Sequence, residues 1–294
     1  KFIINYMPEL PEVEVVKKSL EKTIYDLRIK NIEIPNKFLR YKINEKLMKT
    51  MIGSKVLSVS RRSKYILINL NNQFTIMIHL GMTGKIIITG TNKKKYKTSF
   101  YYELIDNKPK HDHLILKFNK NILFTYNDVR KFGFIKIFKT NKLYSSSHLN
   151  KLGPEPLTKK FNFYYFKNNI SNRQVCLKDL LMNQKFIAGL GNIYVNEALF
   201  LSKINPKIIS NKIPLKKIKL LVYNIKKVLK KAIQEGGSSI KNFNNIKGKR
   251  GKFQQFLNVY GKQGNSCSRS NCIGIIRRIR ISNRSTFYCN KCQK

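Results

Sequence analysis

The tightest constraint on this chain lies near its end, where Cys267-x4-Cys272-x16-Cys289-x2-Cys292 packs four thiols into the last 28 residues. Two close pairs separated by a hairpin-length span suit Zn²⁺ in a closed tetrahedral site. Such a site is structural rather than catalytic, because no coordination position stays open. The alternative is a set of unpaired core cysteines. Residues 273–288, between the pairs, are rich in β-formers and carry Arg277, Arg278, Arg280 and Arg284, so a basic β-hairpin finger is predicted within 262–294. Clustered thiols of this kind point to a reducing compartment, and so to an intracellular, cytoplasmic protein, rather than to a disulfide framework. The fifth cysteine, Cys176, lies in an apolar stretch and reads as a core thiol.

Ahead of the finger the pattern divides in two. Leu10, Val13, Val16 and Leu20 recur at helical spacing, with Glu9, Glu12 and Glu14 in the first turns, where the helix dipole favours acids. Strand-like segments follow at 55–59, 65–70, 74–79, 85–89, 113–118, 122–126 and 134–138, bounded by Asn, Gly and Lys-Asn turn signals. Seven strands at this spacing predict a two-sheet β-sandwich with a leading helix over 7–140. The polar stretch 139–150, with Ser145-Ser146-Ser147, reads as the start of a linker that we extend over 141–157. Helices are then predicted over 175–186, 193–201 and 214–235, the last ended by Gly236-Gly237, within a helical domain at 158–261. A glycine-dotted loop, Gly248–Gly251, leads to the finger. The class is α+β.

Charge narrows the partner. Lys+Arg number 59 against 15 Asp+Glu, a net +44 in a chain of 294 residues whose apolar content is an ordinary 42%. The basic residues are spread throughout, so a polyanion is the expected partner, nucleic acid ahead of an anionic membrane surface. Part of the lysine is solvated decoration in a sequence this rich in Lys, Ile and Asn. Ribosomal and chromatin proteins share the signature, so charge alone does not make an enzyme. No apolar run approaches the roughly 20 residues that span a bilayer. The opening Lys1–Tyr6 is too short for a signal peptide.

Chemistry enters at Pro8-Glu9-Leu10-Pro11-Glu12-Val13-Glu14, directly after Met7. Read structurally, the prolines start a helix and the glutamates complement its dipole. Read chemically, methionine before proline is readily removed in cells. The product is a secondary amine at the positive end of a helix beside a carboxylate, a group able to form an iminium with a sugar aldehyde carbon.

This heptapeptide resembles the amino terminus of formamidopyrimidine-DNA glycosylases, and the later motifs keep that family's order. They are Arg61-Arg62-Ser63-Lys64-Tyr65, His79-Leu80-Gly81-Met82-Thr83-Gly84, His111-Asp112-His113 and Asp128-Val129-Arg130-Lys131-Phe132-Gly133. Leu152-Gly153-Pro154-Glu155-Pro156-Leu157, Gly189-Leu190-Gly191-Asn192-Ile193-Tyr194 and Thr286-Phe287-Tyr288-Cys289 complete the series. The resemblance implies a bifunctional glycosylase and AP lyase of base excision repair. Such an enzyme, nucleoid-associated by its substrate, removes 8-oxoguanine and formamidopyrimidines from double-stranded DNA held between a sandwich domain and a helix-two-turn-helix domain with a zinc finger. It further implies Pro8 as the nucleophile attacking the sugar C1′ and Glu9 as general acid/base. Lys64 is implied in β-elimination, and Arg284 in δ-elimination and phosphate binding. Met82, Arg130 and Phe132 would fill the void left by the extruded nucleotide, with Arg130 reading the widowed cytosine. His111, Arg173 and Asn192 would hold phosphates, and the four cysteines one structural zinc.

Without the resemblance, Lys64 and Arg284 read as solvated charges, and Met82 and Phe132 as core. Arg130, two positions from Phe132 on what reads as one strand face, argues against core burial of the trio. Asn192 reads as the N-cap of its helix, beside glycines that let backbone N–H groups approach a phosphate.

Three departures from the family pattern stand out. The first cysteine pair is x4 rather than x2. Lys131 replaces a second arginine and so loses the bidentate fork. Six residues precede Met7, and an amide-bonded Pro8 has no nucleophilic nitrogen, so Lys1–Tyr6 is expected to be absent from the active enzyme. The rival readings are an endonuclease VIII-type enzyme for oxidised pyrimidines, disfavoured by Leu10 and the Met82/Arg130/Phe132 set, and a non-catalytic damage-binding protein if Pro8 stays blocked. A monomer is expected, since flipping needs no partner.

Overall fold

The computed structural model describes residues 7–90, 95–96 (as strand backbone), 108–238 and 253–294; the expectations for Lys1–Tyr6 and Gly248–Gly251 lie outside the described residues. The chain forms two compact units. One comprises Lys1–Asn150 with Glu235–Lys252, the other Lys151–Gln234 with Phe253–Lys294.

The first unit opens with α1 (Leu10–Ile24), whose Val13, Val16, Leu20 and Ile24 are buried against the sheets. Next come β1 (Ile29–Glu33), the short α2 (Glu45–Lys49), β2 (Val56–Arg62), β3 (Tyr65–Leu70), β4 (Phe74–His79), β5 (Lys85–Thr89), β6 (Lys95–Tyr96), β7 (Asp112–Phe118), β8 (Leu123–Asn127) and β9 (Phe134–Lys139). They make two antiparallel sheets, β1-β7-β8-β5-β6 and β2-β3-β4-β9. Inward residues of both, among them Ile66, Ile68, Ile76, Leu114, Leu116 and Phe124, share one core. Alternation of buried and open positions along β5 and β7 is what a sheet with one face packed requires. The predicted sandwich with a leading helix is borne out. The stretch read as the start of a linker is turn-rich, yet it buries Leu143 and Leu149.

The second unit holds α3 (Phe163–Ile170), α4 (Leu177–Met182), α5 (Asn192–Leu201), α6 (Leu215–Gln234) and the hairpin β10 (Ile276–Ile281)–β11 (Arg284–Cys289). α6 follows its apolar stripe: Ile218, Leu221, Val222, Ile225, Val228, Leu229 and Ala232 are buried, and Gly236 and Gly237 beyond it take φ of +79° and +87°. The hairpin turns at Ser282 and Asn283, both at positive φ.

Three local readings need correction. The helix expected over 175–186 stops at Met182, because Asn183 turns extended and its carbonyl takes the N–H groups of Phe186 (2.9 Å) and Ile187 (3.1 Å). Asn192 is the first helical residue of α5 rather than its cap, which is Gly191. Cys176 is half-buried and donates its thiol to the Pro206 carbonyl (3.1 Å), so it is not a sealed core thiol.

Candidate functional site

Strand register gathers five of the candidate residues, Lys64, Met82, His111, Arg130 and Phe132, on one rim of the sandwich. In the four-stranded sheet Tyr65 pairs with His79 and His79 with Phe134. Lys64, the turn after His79 and the residues before Phe134 therefore leave the sheet at the same end. In the other sheet Asn127 pairs with both Asp112 and Lys85. The turn Leu80–Gly84, carrying Met82, crosses between the two sheets at this end, and His111 precedes β7 there.

Two loops on this rim are stapled together. The buried carboxylate of Asp128 accepts from the Thr83 hydroxyl and from the Gly133 N–H (2.8 Å), while Thr83 Oγ1 accepts the Arg130 N–H (3.0 Å). A Cβ on Gly81 would collide with the backbone of Phe132 and Gly133, so only glycine lets the turns approach this closely. Met82 is half-buried, whereas Arg130 and Phe132 are exposed, with the guanidinium 4.7 Å from the Phe132 ring centroid. This corrects the strand-face reading: residues 130–132 form a loop, bent by Lys131 at φ +58°, and Arg130 covers Phe132 through a cation–π contact instead of sheet alternation. His113 is wholly buried between the carbonyls of Asn36 (2.9 Å) and Asp128 (3.0 Å), and the His111 carbonyl takes the Asp128 N–H (3.0 Å).

The start of α1 joins the same rim. Arg61, at the end of β2, pairs with Glu14 (2.6 Å) and donates to the Ser63 carbonyl (2.8 Å), which holds the turn bearing Lys64 beside the helix. Pro8 and Glu9 are buried. Glu9 is the N-cap in a capping box: its side chain accepts from the Glu12 N–H, and its own N–H donates to Glu12 Oε2 (2.9 Å). The other Glu12 oxygen accepts the Ser238 N–H (2.8 Å) and hydroxyl (2.9 Å). Glu12 and Ser238 thus brace Glu9 from a segment 226 positions away, a pairing that no local signal announces.

His79 stiffens the rim. Its Nδ1 accepts the Gly81 N–H (3.2 Å) and its ring stacks on Phe134 (5.3 Å, 19°). Burial, then the charges of Lys64 and Arg40, hold its pKa down to about 4. A histidine depressed on folding stabilises the native state fully above its unfolded value near 6.5. That contribution is lost as pH falls from there to about 4, because only the unfolded chain then takes the proton. The stability gap between wild type and His79→Asn is expected to shrink by roughly 2–3 kcal/mol between pH 7 and pH 4. Thermal or urea unfolding of the pair measures it; a gap independent of pH contradicts the assignment.

In the second unit a polar group forms where α5 begins. Asn192 Nδ2 donates to the Ser285 carbonyl (2.9 Å), and Asn196 Oδ1 accepts the Phe287 N–H (2.7 Å), docking β11 on α5. Lys178, read from sequence as nothing more than a helix residue, is 1% exposed, with Nζ 2.6 Å from Thr286 Oγ1. Arg284 stands exposed at the start of β11. Arg173 is exposed too, but its contacts are with Phe186 and, through its carbonyl, Ser210; they do not join it to Asn192.

The four cysteine sulfurs lie within 4.8 Å of one another. A Cβ on Gly274 would overlap the Cys289 sulfur, so the knuckle closes around the thiols. Burial, followed by hydrogen bonding and charge from Cys289, pushes the Cys292 thiol up to about 12. Four thiolates cannot coexist here without a cation, and a metal ion supplies that positive charge; the donor set fits one. The knuckle is also tied down: Arg269, inside the x4 turn, donates to the carbonyls of Phe200 (2.6 Å) and Leu201 (3.1 Å) at the end of α5, and Gln293 bridges the Cys289 N–H and the Ile204 carbonyl.

Two family models cover most of the chain: the formamidopyrimidine-DNA glycosylase N-terminal domain over residues 7–135 and the H2TH domain of the same enzymes over 152–244. The chain belongs to the formamidopyrimidine-DNA glycosylase family. Formamidopyrimidine-DNA glycosylases of Rickettsia felis and of a Ruegeria species are each 38% identical to it, with 98% of this chain aligned and 98% and 100% of theirs. A mutant Lactococcus lactis Fpg in complex with Fapy-dG DNA is 36% identical with a TM-score of 0.84, and L. lactis Fpg with abasic-site DNA is 36% identical at 0.83. Each comparison covers 98% of this chain and 100% of the other. Among the described residues no helix is long and apolar enough to cross a membrane.

Proposed function

We propose that this family member excises oxidised purines, 8-oxoguanine and formamidopyrimidines, from duplex DNA and cuts the backbone by β,δ-elimination. The observation that carries the reading is the capped start of α1. Pro8 is buried there beside Glu9, which Glu12 and Ser238 hold in place, on the rim that also bears Lys64 and the stapled Met82/Arg130/Phe132 loops. The L. lactis relatives bound to Fapy-dG and abasic DNA support the substrate class.

With Pro8 as first residue, its amine forms a bond to C1′ as the C1′–N bond to the base breaks, and the departing base takes a proton. Glu9 protonates the ring oxygen as the sugar opens to the iminium. Loss of a C2′ proton expels the 3′ phosphate, and a second elimination expels the 5′ phosphate, with Lys64 and Arg284 assisting. His111, Arg173 and Asn192 hold phosphates, and Cys267, Cys272, Cys289 and Cys292 hold one structural zinc, which supplies folding energy to the finger and no chemistry. Residues 7–140 are the catalytic domain, joined through 141–157 to the helix-two-turn-helix domain at 158–261 and the finger at 262–294. The enzyme works as a monomer in the reducing cytoplasm.

Opposite-base reading is the most accessible test. Arg130→Ala is expected to relax discrimination between lesions facing cytosine and those facing adenine, since a charged bidentate contact worth about 1–3 kcal/mol is lost. Lys131 cannot take over, because an ammonium lacks the planar fork. Single-turnover excision on both duplexes decides it; an unchanged ratio removes Arg130 from the reading.

A further inference from the structure

α6 carries Lys216, Lys217, Lys219, Lys226, Lys227, Lys230 and Lys231 and no acidic residue. Shorter helices of this chain answer lysine with glutamate at i,i+4, as in Lys17–Glu21 (2.6 Å) and Glu45–Lys49 (3.0 Å). Here the i,i+4 pairs Lys226/Lys230 and Lys227/Lys231 are of like sign, which weakens a helix.

Some of these lysines serve the fold. Lys217 donates to the carbonyls of Ser202 (3.4 Å) and Lys203 (2.6 Å), Lys226 to that of Thr158 (3.0 Å), and Lys231 lies over the Phe256 ring (4.5 Å). The other four, Lys216, Lys219, Lys227 and Lys230, are exposed, Lys219 with its ammonium also 5.2 Å from the Phe163 ring centroid. At about 100° per residue they fall within an arc of roughly 80° centred on Tyr223, itself 60% exposed. The buried apolar stripe prevents the helix from rolling, so this row is fixed outward, along a rise of roughly 21 Å. The apolar stripe explains why charge gathers on this face but not why all of it has one sign, with no acidic residue among the lysines.

Within its own unit, the row lies on the side of α6 opposite α5. α5, whose first residue is Asn192, packs against the buried side of α6. Lysines are compact charges with rotatable donors, suited to phosphates at any sequence, and duplex DNA offers one charge per roughly 1.7 Å of axis. From this we infer that the outer face of α6 is a second, sequence-independent duplex-binding surface. Through it the protein holds an undamaged DNA segment while its lesion site is occupied. The occupied lesion site rests on the proposed function; the surface itself does not.

Sedimentation with two differently labelled duplexes tests it: a short lesion duplex at saturation and an undamaged duplex. At low salt the protein prepared to begin at Pro8, which serves as wild type and as the background of every variant here, is expected to sediment with both labels in one complex. The quadruple variant K216Q/K219Q/K227Q/K230Q should carry only the lesion duplex. Its log affinity for undamaged DNA should depend less steeply on log salt, by up to about 3–4 units, at roughly 0.9 per phosphate contact. Single-turnover excision at saturating enzyme should not change. The half-variants K216Q/K219Q and K227Q/K230Q should each lose part of the slope, and they stand in if the quadruple variant unfolds. Absence of a doubly labelled complex from wild type, or a variant slope equal to wild type, overturns the inference. Wild type that forms the double complex but fails to excise contradicts the proposed function instead.

Discussion

Cys289→Ser is expected to unfold the finger locally and to lower lesion-DNA affinity by at least two orders of magnitude. The Cys289 sulfur sits at the centre of the knuckle, 3.7 Å from that of Cys272 and close against Gly274. The hairpin around it is two strands, too little to hold itself together in water. Metal binding therefore has to supply much of the folding free energy of this module. The consequence reaches beyond the knuckle, because Asn192, Asn196 and Lys178 all find partners on β11. Losing the hairpin removes these contacts, the Thr286 hydroxyl on Lys178 among them, and so loosens the start of α5 where Asn192 sits. Wild-type protein should contain about one zinc per chain, as a single four-cysteine set holds. Elemental analysis with fluorescence anisotropy on a lesion duplex checks both points. Full affinity in zinc-free protein contradicts them.

Pro8→Gly is expected to cost at least two orders of magnitude in borohydride trapping and in strand cutting. The substitution turns a secondary amine into a primary one, and it frees a backbone that proline and the capping box hold at the head of α1. A free amine there feels the positive end of the helix dipole, which disfavours its protonated form. Glycine loses the ring and the fixed φ that aim the nitrogen, so the attack geometry loosens as well. Lesion-duplex affinity should fall little, since the phosphate-holding candidates are untouched. Gel-based trapping and nicking, run beside a binding assay, separate the two effects. Equal losses in binding and chemistry would assign Pro8 a structural role.

What the residues disclosed in advance, and what they concealed, follows physical lines. β3, β4 and β5 were legible to the residue because turn signals bound runs of β-formers. α6 was legible because twenty residues hold one apolar stripe, and the metal cluster because thiols at that spacing have few other uses. β1, by contrast, reads Ile-Lys-Asn-Ile-Glu, and only pairing with β7 makes it a strand. α3 went unpredicted, since four aromatic residues in a row hide its 3.6-residue period. The loop at Arg130–Phe132 looked like strand because the left-handed turn at Lys131 needs no glycine or asparagine to mark it. Long-range pairings leave no local trace at all: Glu12 with Ser238 and Lys178 with Thr286 are the contacts that hold the two candidate groups, and they span 226 and 108 positions.

If the amine of Pro8 is the atom joined to DNA, that bond can be located. Protein prepared to begin at Pro8 is mixed with 8-oxoguanine duplex and borohydride, the cross-linked species is digested with protease and nuclease, and the modified peptide is sequenced by mass spectrometry. A single sugar adduct is expected on the Pro8 nitrogen, and none when Met7 and the residues before it remain attached. An adduct on Lys64, or efficient trapping by protein whose intact mass shows the extension in place, would contradict it.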